Sequence, residues 1–85
     1  MNDDDYGYDR EAIGLTIEHL RKKKGLSQEV LSSFANIARS HLSMIETGQK
    51  QPNLETLWRL ANALNLRPYE LVKMIEEESQ NKSKR

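Results

Sequence analysis

Apolar residues recur with helical spacing in five segments of this chain. In Glu11–Lys24, Ile13, Ile17 and Leu20 share one face, and a cationic last turn suits the helix dipole before Gly25 ends the segment. In Ser27–Ala35, Ser27 is a good N-cap, and Leu26 and Leu31 stand at the hydrophobic-staple positions. There Val30, Leu31, Phe34 and Ala35 repeat at i, i+1, i+4 and i+5, predicting one buried face. Asn36, a residue tolerant of left-handed backbone, follows. In Ala38–Thr47, Leu42 and Ile45 turn inward while Arg39, Ser40, Ser43 and Met44 fall on the other side, and Gly48 closes the segment. Asn53 caps a fourth helix, Leu54–Leu64, with Leu57, Leu60, Ala61 and Leu64 inward. Pro68 opens a fifth that runs to about Glu78, with Leu71 and Ile75 four apart toward the core. No strand alternation and no repeat interrupts the pattern. The chain therefore reads as all-α: one compact five-helix domain over residues 10–78. An acidic arm (1–9) and a basic tail (79–85), both polar enough to be disordered, flank it.

The second and third segments are two short helices joined by a tight turn, the second with a small polar outer face. That arrangement suits a helix that lies in a groove. The segment SQEVLSSFANIARSHLSMIETG, from Ser27 to Gly48, also resembles the helix-turn-helix of the lambda repressor and Cro family, often called XRE-type. Ser27, Gln28, Glu29, Leu31, Ala35, Arg39, Ser40, Ser43, Ile45, Glu46 and Gly48 stand where that family's pattern wants them. Agreement extends upstream to Leu20, Arg21 and Gly25-Leu26, and downstream through Pro52, Leu54–Leu57, Leu60-Ala61, Ala63-Leu64 and Glu70-Leu71. Three positions depart from it. Asn36 replaces the usual turn glycine, Ser32 the usual small alanine, and Ala38 the usual capping serine of the recognition helix, a cap worth about 1 kcal/mol.

The resemblance implies a five-helix, lambda-repressor-like DNA-binding domain and a bacterial or phage origin. The bases would be read from 38–47, with Arg39, Ser40, Ser43 and Met44 facing the major groove and His41 at its margin. Phosphates would be held by Gln28 at the start of the second helix, by Lys24, and by Gln49, Lys50 and Gln51 in the following loop. Arg21 and Glu46 occupy positions that form a salt bridge in that family.

Charge distribution changes the picture more than composition does. The net charge over 85 residues is zero. Met1–Asp9 holds four aspartates and no cation; residues 10–75 hold ten Lys or Arg against six acids, leaving +4; the last ten residues cancel. A mildly basic body leans on neutral donors and helix N-termini, as well as on cations, to hold phosphate. There is no cysteine, hence neither disulfide nor thiolate site. No apolar run approaches the ~20 residues of a membrane span, and the acidic N-terminus is unlike a signal peptide, so a cytoplasmic protein is expected.

His19 and His41 lack the partners a metal site requires, and no paired carboxylates, Ser/His/Asp set or glycine-rich loop points to catalysis. No cofactor and no small-molecule effector is expected. Trp58 reads most simply as core, with a dimer contact as the alternative. The fifth helix has more apolar residues than one face needs, which suggests a partner surface; the family resemblance implies a two-fold dimer there, around Tyr69, Val72, Met74 and Ile75, with Trp58 contributing. The expected function is a sequence-specific, double-stranded-DNA-binding regulator, a repressor acting as a homodimer. The alternatives are an antitoxin that binds a partner protein, and the controller of a restriction–modification operon.

Overall fold

The computed structural model describes residues 8–83 and holds five α-helices: α1 (Arg10–Lys23), α2 (Gln28–Ala35), α3 (Arg39–Glu46), α4 (Leu54–Ala63) and α5 (Pro68–Ser83). No strand occurs among the described residues. Side chains start four of the five helices. The Asp9 carboxylate accepts from the Glu11 and Ala12 amides, Ser27 Oγ from Val30 N–H at 3.1 Å, and Asn53 Oδ1 from Thr56 N–H at 2.8 Å. At α5 the Glu70 carboxylate reaches back to the Arg67 amide at 2.8 Å, the reciprocal half of a capping box. Only α3 starts bare: Ala38 is extended and makes no side-chain cap.

The first four helices end alike. At Gly25, Asn36, Gly48 and Asn65 the backbone enters the left-handed region, with φ of 70°, 57°, 82° and 61°. In each case the left-handed residue and its successor donate back to carbonyls of the last turn. Asn36 N–H reaches Ser33 at 3.1 Å and Ile37 N–H reaches Ser32 at 3.0 Å. This two-bond closure satisfies carbonyls that a helix end otherwise leaves open. Asn36 behaves as the sequence predicts; Asn65 uses the same tolerance at a position the sequence reading passes over.

The core is Ile13, Ile17, Leu31, Ala35, Leu42, Ile45, Leu60, Ala61, Leu64 and Leu71, with Leu20, Leu26, Ile37, Leu57, Leu66 and Ile75 packed around it. Contacts run α1 to α3 and α5, α2 to α3 and α4, and α4 to α5. Where α1 crosses the end of α3 the backbones nearly touch. A Cβ on Gly14 would strike the Ile45 carbonyl oxygen and lie 2.5 Å from that of Glu46.

Four expectations need correction. Val30 and Phe34 are exposed, Phe34 by 64%, because α3 and α4 cover only the stripe Leu31, Ser32 and Ala35. Trp58 is not core. At about 100° per residue it lies nearly opposite Leu60, and it is 52% exposed. Helix α5 continues to Ser83, past Glu78. Of the expected N-terminal arm, residues 1–7 lie outside the described residues, and Asp9 belongs to the fold as the cap of α1.

Candidate nucleic-acid interface

Helices α2 and α3 build the candidate interface. Leu42 and Ile45 anchor α3 in the core with no exposed surface, so the opposite side of the helix must face outward. Arg39 and Ser40 are exposed at its start, while His41, Ser43 and Met44 are half-buried along the same outer side. The result is a short, polar, convex helix face with one cation at its leading edge.

A buried ionic network fixes the far end of α3. Arg21 of α1 forks onto Glu46, with Nε donating to Oε2 at 2.7 Å and Nη2 to Oε1 at 3.0 Å, and its Nη1 donates to the Leu26 carbonyl at 2.8 Å. Gln28 Nε2 donates to the same Glu46 Oε1 at 2.9 Å. One carboxylate thus joins α1, the first residue of α2 and the last residue of α3. The hydrogen bond to Glu46 holds the Arg21 guanidinium above its ordinary pKa, with burial opposing the shift. A raised cationic pKa stabilises the fold below the unfolded value and is lost only as pH climbs through the folded one. Arginine titrates so high that this lies above physiological conditions. Gln28 therefore differs from its sequence reading. Its amide is first a brace for Glu46, and it is half-buried rather than freely presented.

The loop after α3 is folded back onto that helix. The Gln49 and Lys50 amides both donate to the Met44 carbonyl, at 2.9 and 3.1 Å, and Gln49 Nε2 donates to Thr47 Oγ1 at 3.0 Å. Lys50 and Gln51 project from this pinned loop, exposed, as does Lys24 at the end of α1. The sequence reading missed Arg59. From α4 its Nη1 donates to the Asn36 carbonyl in the turn between α2 and α3 at 3.1 Å, and its Nη2 pairs with Glu55 at 2.8 Å. The signal available was the i,i+4 spacing of Glu55 and Arg59; the turn carbonyl leaves no trace in sequence.

Away from this face, Tyr69 is 65% and Val72 46% exposed on α5, and Arg67 lies over the Tyr69 ring at 5.8 Å. On α4, Leu54 is 68% exposed and belongs with Trp58 among the uncovered apolar residues. Met74 is half-buried, while Ile75 packs partly against the core and has less surface to offer than its neighbours.

Two helices crossed over a left-handed turn, the second anchored inward and polar outward, define a helix-turn-helix domain. The sequence profile of the helix-turn-helix family matches residues 17–71, and the chain belongs to that family. It is 35% identical over 68 residues to an uncharacterised HTH-type transcriptional regulator, y4dJ, of Sinorhizobium fredii, covering 80% of this chain and 88% of that protein. It is 39% identical over 54 residues to the immunity repressor of Bacillus phage phi105, covering 64% of this chain but 38% of that protein. Among solved structures, it superposes with a TM-score of 0.72 and 38% identity on the restriction–modification controller protein C.AhdI from Aeromonas hydrophila, covering 74% of this chain and 96% of that one. The chain is a DNA-binding transcriptional regulator of this family.

Proposed function

We propose that the chain acts as a repressor, two copies gripping a pseudo-palindromic operator with α3 laid in the major groove. The observation that carries this reading is the pairing of a polar outer face on α3, led by exposed Arg39, with an inner face that is wholly buried. Arg39, Ser40, Ser43 and Met44 read bases, with His41 at the margin. Arg39 donates in bidentate fashion to O6 and N7 of a guanine. Lys50, held by the folded loop, takes a phosphate together with Gln49, Gln51 and Lys24. Gln28 contributes the amide proton not given to Glu46.

The test compares two variants across operator, scrambled DNA and a salt series. Arg39→Ala is expected to flatten base preference at one position per half-site, with about 1–3 kcal/mol of discrimination lost there. Lys50→Ala is expected to weaken both DNAs alike and lower the salt slope by about one. Retention of every base preference by Arg39→Ala would remove α3's first residue from the reading set.

The dimer is placed on α5, around Tyr69, Val72 and Met74, with Ile75 at the edge of the core and Trp58 contributing from α4. Large apolar side chains left uncovered on a short chain support that surface. The two half-sites would then be centred about 10–10.5 base pairs apart on one face of the duplex. In an isologous contact Val72→Glu brings like charges together. A folded monomer with much weaker operator binding is the expected result, and an unchanged dimer in sedimentation would relocate the interface.

A second reading, the controller of a restriction–modification operon, draws on the likeness to C.AhdI over nearly the whole of that chain. On either reading the protein works by binding and carries out no reaction. No helix among the described residues is long and apolar enough to cross a membrane.

A further inference from the structure

We infer that Arg59 of α4 is a positioning residue for α3: it holds the turn from which that helix starts, in place of the cap that Ala38 does not supply. The inference rests on the reading of α3 as the base-reading helix. Only Ile37 stands between Asn36 and Ala38. On its α2 side the turn is closed by the Asn36 and Ile37 amides, bonded to Ser33 and Ser32. On its α3 side the Ala38 carbonyl accepts from Leu42 N–H at 3.1 Å, but its methyl side chain cannot accept from the free amides of the first turn. The Asn36 carbonyl is tied from outside the motif, by Arg59 Nη1 at 3.1 Å.

Arginine suits this task because its planar fork has separate donors in fixed directions. One arm meets the carbonyl while the other is held by Glu55, one turn back on the same helix, at 2.8 Å. That pairing pre-aims the guanidinium. It also places a carboxylate beside it, which opposes the alternative use of Arg59 as a phosphate contact. The anchor is sound, since α4 packs on α2 through core residues on its other side.

The experiment uses the full chain and an operator selected from a random DNA pool. Arg59→Gln is expected to raise the operator Kd about five- to tenfold with an unchanged salt slope. Amide exchange at Arg39–Leu42 should quicken by a similar factor, the melting temperature should fall by no more than the roughly 4–8 °C that about 1 kcal/mol costs a domain of this size, and amides of α5 that exchange by local opening should keep their rates. Adding Ala38→Ser to Arg59→Gln should recover most of the affinity, whereas Ala38→Ser alone should change it little. A salt slope lowered by about one would make Arg59 a phosphate contact instead. Exchange quickened everywhere would make it a general stabiliser, and unchanged Kd and exchange would make the bond idle; each overturns the inference. If alanine at Arg39, Ser40, Ser43 and Met44 in turn leaves base preference intact, the base-reading assignment of α3 fails, while the exchange data still report whether Arg59 holds the turn.

Discussion

Gly14→Ala is expected to destabilise the protein by about 2–3 kcal/mol, although alanine at an ordinary helix interior stabilises by roughly 0.5–1 kcal/mol relative to glycine. The sign is reversed because the added methyl meets the Ile45 and Glu46 carbonyl oxygens and the Glu46 carbonyl carbon, all backbone. A flexible side chain could swing aside; these atoms move only if α1 and α3 separate. Separation would open the core around Ile17 and Ile45 and strain the ionic network at Glu46. Urea denaturation should show a lower midpoint with the same slope. An unchanged or raised midpoint would mean that the two helices are further apart than described.

Glu46→Ala is expected to cost more, about 3–5 kcal/mol, because it strands the buried Arg21 guanidinium with the Leu26 carbonyl as its remaining partner. For a domain this small that is much of the total stability, and the melting temperature should fall by roughly 12–40 °C. The double variant Arg21→Met, Glu46→Leu separates charge from architecture. With no charge left buried it should regain most of the lost stability, since apolar pairs often replace buried ion pairs without penalty. It should still bind operator less well than the parent, because the directional tether of α3 to α1 and Gln28 is gone. A single-variant loss below about 1 kcal/mol would show that solvent reaches the pair.

The residues that sequence located well are those whose signal is local. Ser27 and Asn53 cap as their side-chain chemistry predicts, Asn36 turns left-handed, and Leu42 and Ile45 bury at helical spacing. The Arg21–Glu46 bridge was legible only through family resemblance, because 25 residues separate the partners. Periodicity failed at Val30, Phe34 and Trp58, where apolar character exceeded the area that neighbouring helices cover. Gly14 and Arg59 were missed for a common reason: each acts on backbone carbonyls of another element, which no side-chain pattern records. The interior glycine was a clue to close approach, without saying to what.

The repeated left-handed closure at Gly25, Asn36, Gly48 and Asn65 has a kinetic consequence. Each reversal is completed by bonds across only a few residues, so most of the chain's path is settled by neighbours in sequence. Helical domains of such low contact order fold in about microseconds to milliseconds. Two copies at roughly 100 nM, meeting at about 10⁶ M⁻¹s⁻¹, would need ~10 s to find each other. If the chain is the dimeric repressor proposed above, each newly made copy would then spend its early life as a finished monomer, and the supply of operator-competent protein would follow the square of its concentration, making repression respond steeply to the rate of synthesis.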